Sequence, residues 1–137
     1  MTTNQAKSVI RQIFEDAMNQ GRTELYHDLI HPAYINHDFP APVEGFEGFM
    51  IVDRMFRTAF PDFSVTIEDE VVAGDRVATR GFFSGTHTGE FMGIPPTGRS
   101  FRCTYSDIWR LKDGKGRENW VQMDMLGLMQ QLGVGAT

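Results

Sequence analysis

Between Ser100 and Leu111 the chain alternates: Phe101, Cys103, Tyr105, Asp107, Trp109 and Leu111 share one parity, and Arg102, Thr104, Ser106, Ile108 and Arg110 the other. Side chains two apart in a β-strand share a face, so this stretch predicts a long strand with one face turned to an interior. One member breaks the apolar set. Asp107 is a carboxylate on a face that loses its water, and it must be paired, hydrogen-bonded or raised in pKa.

The flanking segments place this strand in a sheet. Lys112-Asp113-Gly114-Lys115, with Asp-Gly at its centre, predicts a tight hairpin, and the strand after it runs to about Asp124. Upstream, Phe63, Val65, Ile67, Asp69 and Val71 alternate, and Gly74-Asp75 turns the chain into a further strand over Arg76 to Thr86. The Gly- and Pro-rich stretch from Gly85 to Gly98 reads as a structured loop between two long strands.

The first half has a different period. Ala6, Val9, Ile10, Ile13, Phe14 and Ala17 recur as one stripe of a helix stopped at Gly21. A short helix around Thr23 to Ile30 ends before Pro32, and Tyr34 to His37 is extended. Phe46, Phe49, Met50, Val52, Phe56, Ala59 and Phe60 form a third helix that stops at Pro61, and Met125 to Leu132 make a last short one. Helices followed by an antiparallel meander predict an α+β fold, with the helices covering the apolar face of the sheet.

A chain of 137 residues, 41% hydrophobic and 23% charged, fits one domain over 1–137 with a real core. Such a core needs neither disulfides nor a structural metal, and the lone Cys103 forms no internal bridge. A charged-then-apolar leader and a long apolar run are both missing, which predicts a cytoplasmic protein with no membrane partner. The net charge of -5 comes without a basic cluster, so nucleic acid is not expected as a partner. Eleven phenylalanines and eight methionines can line a cavity as well as fill a core. Phosphate-loop, GxGxxG, HExxH and Cys/His metal patterns are lacking, so no cofactor or metal is expected.

On the last strand Trp120, Gln122 and Asp124 share parity, which would set a second carboxylate beside an aromatic wall at the edge of the pocket. A carboxylate desolvated against aromatics is a better base near neutral pH, so Asp124 is a candidate acid/base. Its place just ahead of Met125 equally suits the N-cap of the final helix. His37 can donate to an oxyanion, shuttle a proton or hydrogen-bond a buried carboxylate. Arg80 either reaches inward to pair with Asp107 or extends to solvent. Tyr34, Tyr105 and Trp120 complete the candidate lining of a substrate pocket. Epoxide hydrolysis or isomerisation would require Asp107, Asp124 and Arg80 to converge around a water, whereas a binding protein would need only the apolar lining.

The chain resembles the SnoaL-like polyketide cyclase (ester cyclase) family, within the nuclear-transport-factor-2-like superfamily. The resemblance rests on Tyr34-Ile-Asn-His37, Phe60-Pro61-Asp62, Gly74-Asp75-Arg76-Val77 and the stretch from Gly85 to Arg99. Further along it rests on Asp113-Gly-Lys115, Glu118-x-Trp120-x-x-x-Asp124 and Gly127 to Gly133. It implies a cone-shaped α+β barrel enclosing a deep pocket, commonly in a homodimer. It also implies a cofactor-free intramolecular aldol condensation on a small apolar carbonyl compound. The resemblance assigns the acid/base to Asp124, and stabilising the enolate oxygen would then fall to a donor such as His37 or to the substrate's own conjugation. Two positions depart from the family pattern. Gly116 replaces a β-branched residue, which predicts a bulge at the strand start, and Asn119 replaces a frequent histidine and is expected to face solvent.

Overall fold

The computed structural model of the chain describes residues 1–39 and 41–134. The first helix, α1 (Thr3–Arg11), opens with a reciprocal cap: Gln5 N donates to Thr2 Oγ1 at 3.1 Å and Thr2 N to Gln5 Oε1 at 2.7 Å. It continues as wider π-type turns over Gln12–Met18, and the chain leaves it through Gly21 at φ +68°. A short 3₁₀ turn (Thr23–Leu25) leads into α2 (Tyr26–Leu29), β1 (Ile30–Asn36) and α3 (Gly45–Ala59). The rest of the sheet follows as β2 (Ser64–Ala73), β3 (Arg76–Thr86), β4 (Ser100–Lys112) and β5 (Lys115–Met123), and α4 (Met125–Leu132) ends the described chain.

The strands form one sheet in the order β1-β5-β4-β3-β2. The last four make the expected antiparallel meander. Tyr34 to Asn36 is more than an extended segment, because β1 pairs with β5 in parallel, so the sheet is mixed rather than wholly antiparallel. This α+β cone is wrapped by the N-terminal helices, whose stripe residues Ala6, Ile10, Ile13 and Ala17 are fully buried.

Two departures from a flat ladder shape the sheet. The β2–β3 register slips between Ile67 and Asp69, beside Gly81, whose missing Cβ would lie 1.9 Å from the Thr66 carbonyl oxygen. Only glycine permits that approach. The second slip lies between β4 and β5. Leu111 pairs with Gly116, but Arg110 pairs with Glu118, leaving Arg117 as the extra residue of a bulge. The bulge expected from Gly116 is therefore present, one residue later, and it controls which side chains of β5 face inward.

No helix is long and apolar enough to cross a membrane among the described residues.

Candidate functional site

The inward face of β4 is as the alternation predicts: Phe101, Cys103, Tyr105, Asp107, Trp109 and Leu111 are all buried. With α3, β1 and β5 this face encloses a cavity of about 690 Å³, a size that suits a drug-sized organic molecule. Its wall is mostly apolar, contributed by Phe14, Phe49, Phe56, Phe83 and Met123 among others, with Asn36, Glu44, Asp53, Arg117, Tyr34, Tyr105, Asp107 and Asn119 as its polar members.

Asp107 is only 6% exposed. Thr79, its ladder partner on β3, donates from Oγ1 to Asp107 Oδ1 at 2.5 Å, and Trp109 donates from Nε1 to Oδ2 at 2.9 Å. With its proton given to Asp107, the Thr79 hydroxyl accepts from the Tyr105 hydroxyl, 3.0 Å away. Both carboxylate oxygens are thus held without a cation. Burial pushes Asp107 up to about 6, while the donors from Thr79, Trp109 and Asn119 pull the other way and offset only part of the shift. A carboxyl group with this pKa is mostly ionised at neutral pH and still basic enough to take a proton from an activated carbon.

Tyr34 faces the same space from β1, edge-on to Phe49 with ring centroids 5.2 Å apart. Burial is the main cause that raises its pKa, so its hydroxyl stays protonated and is a donor. A second cavity-lining carboxylate, Asp53 on α3, is taken by structure. It accepts from the Tyr26 hydroxyl at 2.8 Å and from Arg57 Nε at 2.8 Å.

The remaining expected site residues lie elsewhere. Asp124 caps α4, accepting from Gly127 N at 2.9 Å, and is exposed at a second depression that borders the main cavity at Tyr105 and Met123, without lining the main cavity itself. The cap closes because position 127 has no side chain: a Cβ there would lie 2.1 Å from Asp124 Oδ2. Of the two readings open for Asp124, geometry supports the cap. Trp120 points outward, stacked on His37 with centroids 4.6 Å apart, under the Arg76 guanidinium. His37 is held on that outer face by Glu118, with Nε2 3.1 Å from Oε1, so it does not reach the cavity as an enolate donor would. Arg80 also points outward, to Asp69 at 2.6 Å and Glu68 at 3.7 Å, rather than to Asp107. Asp107, Asp124 and Arg80 do not converge, which removes the relay required for epoxide hydrolysis.

The bulge at Arg117 is the physical reason that Trp120 faces outward, while Arg80 lies on β3 opposite Ser106, on the outer face of the ladder. The bulge turns Asn119, Val121 and Met123 into the cavity and Glu118, Trp120 and Gln122 out of it. Asn119, expected to face solvent, is buried, and its Nδ2 donates to the Ile108 carbonyl at 3.2 Å. Thr79 and Trp109 went unassigned in the sequence, although Trp109 lies in the alternating set and Thr79 shares parity with buried Val77 and Phe83.

Residues 8–132 match the family model described as SnoaL-like polyketide cyclase. Nogalonic acid methyl ester cyclase of Streptomyces nogalater is 32% identical over 125 residues, covering 85% of this chain and 90% of that protein. Among solved structures, TsrD from Streptomyces laurentii superposes with a TM-score of 0.89 at 32% identity, covering 97% of this chain and 98% of that one. IdmH from Streptomyces antibioticus does so with a TM-score of 0.80 at 37% identity, covering 95% and 99%.

Proposed function

The chain belongs to the SnoaL-like polyketide cyclase family, and from that premise we propose a cofactor-free intramolecular aldol condensation in the cavity, with Asp107 as its general acid/base. The supporting observation is a buried carboxylate, raised to about 6, on the wall of a mostly apolar cavity. The Asp107 carboxylate takes a proton from a carbon flanked by carbonyls. The resulting enolate carbon attacks a second carbonyl of the same molecule, forming the ring's new C–C bond. The alkoxide left on that second oxygen takes a proton from the Asp107 carboxylic acid, which returns the base to its starting state. Tyr34 donates to the enolate oxygen as charge develops there, a role that its protonated, buried hydroxyl fits. The cavity holds the two reacting carbons close.

The acid/base role expected for Asp124 moves to Asp107 in this reading, because Asp124 already serves α4. Homodimerisation and a cytoplasmic location belong to the same reading, the former in keeping with the exposed Ile108 on the outer sheet face.

The test incubates the protein with nogalonic acid methyl ester, the compound in the relative's name, and with its free acid, and follows a cyclised isomer of unchanged mass by chromatography. Asp107→Asn is expected to abolish product formation while Asp124→Asn retains it. An active Asp107→Asn variant would refute the assignment. A ligand recovered unchanged from the wild type under all these conditions would favour a binding protein instead.

A further inference from the structure

We infer that Arg117 is an anion anchor, and that the substrate carries a carboxylate, or an oxygen of similar acidity, away from the carbon that Asp107 deprotonates. The inference rests on the cyclase reading of the cavity and specifies the substrate class that the cavity takes.

Arg117 is the extra residue of the β5 bulge, and bulges commonly re-aim a side chain toward a site. It lines the cavity, where it is the one cation among the described lining residues. Its Nη1 is buried and has no hydrogen-bond partner. A buried donor left unpaired is costly, and an acceptor supplied by a ligand would remove that cost.

The nearby carboxylates are engaged elsewhere or lie outside ion-pair range. Glu118, next in sequence, is held by Arg110 and His37. Asp53 is held by Arg57, and Asp107 by Thr79 and Trp109. Glu44, at the start of α3, is exposed and forms no ion pair with Arg117. A guanidinium presents paired N–H donors that match a carboxylate, and it binds a neutral ester carbonyl less well.

Position along the strand separates the two functions. Val121 is the ladder partner of Asp107, and Arg117 lies four residues earlier on β5. At about 3.3 Å per residue the backbone positions are roughly 13 Å apart. A substrate spanning that length presents its carbon acid to Asp107 and its anionic end to Arg117.

Isothermal titration with 2-naphthoate and its uncharged methyl ester tests this without turnover. The wild type is expected to bind 2-naphthoate at least about tenfold more tightly than the ester. Arg117→Met should erase that preference and Arg117→Lys should restore part of it. Asp107→Asn should keep it, so failure of the acid/base assignment would be seen separately, in turnover. Equal binding of the two probes by the wild type, binding of neither, or an unchanged preference in Arg117→Met overturns the inference. Should Arg117→Met fail to fold, wild-type affinity for 2-naphthoate must fall as chloride rises while that for the ester does not, and a salt-insensitive preference overturns it.

Discussion

The Thr79 hydroxyl donates to Asp107 across the β3–β4 ladder at 2.5 Å, and the same oxygen lies 3.0 Å from the Tyr105 hydroxyl. This short relay is the link between sheet register and proton chemistry, since the pairing of Thr79 with Asp107 sets which face both occupy. Thr79→Val keeps the shape and removes the donor. A hydrogen bond to a charged group is worth about 1.5–3 kcal/mol, so its loss should raise the Asp107 pKa by roughly one to two. The wild-type kcat/KM should rise with pH through about 6 as Asp107 ionises, and in Thr79→Val that rise should move to higher pH. A limb that stays at its wild-type position would show that Thr79 does not stabilise the charged base.

Asp107 also predicts a dependence of stability on pH. Its folded pKa lies above the ordinary aspartate value of 3.8, at about 6, so between those values the folded state holds more protons than the unfolded one. Stability from this group is therefore fully present below about pH 4 and is lost as pH rises through 6. Asp107→Asn lacks that slope. Its constant offset, from an amide facing two donors, does not change with pH. The stability of the wild type relative to Asp107→Asn should thus fall by about 2–3 kcal/mol between pH 4 and pH 7 in urea unfolding. A difference that is flat in pH would mean that Asp107 titrates alike in both states.

Asp124 should behave as a cap. Its carboxylate accepts from Gly127 N at the start of α4, so Asp124→Ala should cost about 1 kcal/mol of stability, and Asp124→Asn, which caps as well, only tenths. Neither change should lower kcat once protein is folded. Loss of turnover in Asp124→Asn without loss of stability would return the acid/base role to this residue.

The contrast between Asp107 and Asp124 shows what was legible in the sequence. Alternation within β4 is local, and it identified every buried residue from Phe101 to Leu111, including the interior carboxylate. The facing of β5 was not local. The Asp113-Gly114 turn sets Lys112 opposite Lys115, and a straight ladder from there would bring Glu118, Trp120 and Gln122 onto the face of Trp109, Asp107 and Tyr105. One extra residue at Arg117 reverses that, because a one-residue slip flips every later side chain. Gly116 signalled the bulge but not its consequence for Trp120 and Asp124. The parallel pairing of β1 with β5, and the junction of Tyr26 on α2 with Asp53 on α3, are long-range contacts that no local periodicity encodes.

Gly116 gives the sharpest test of this account of the bulge. A Cβ at that position would lie 2.7 Å from Trp109 Cζ3 and 2.9 Å from Cε3, closer than packed atoms approach. The indole would have to shift, and its Nε1 is the donor to Asp107 Oδ2. Gly116→Ala should therefore cost about 1–3 kcal/mol through overpacking and should also raise the Asp107 pKa, moving the kcat/KM limb upward. Gly116→Val, which supplies the β-branched residue usual in the family, should be worse. In a Trp109→Phe background the six-membered ring of the indole is gone, so the same Gly116→Ala change should cost less. Thermal unfolding of the four proteins of this double-mutant cycle gives the coupling directly. Additive costs would mean that Gly116 serves the bulge alone, and a coupling of 0.5 kcal/mol or more, a size about typical of touching residues, would tie the bulge to the seating of Trp109 against the base.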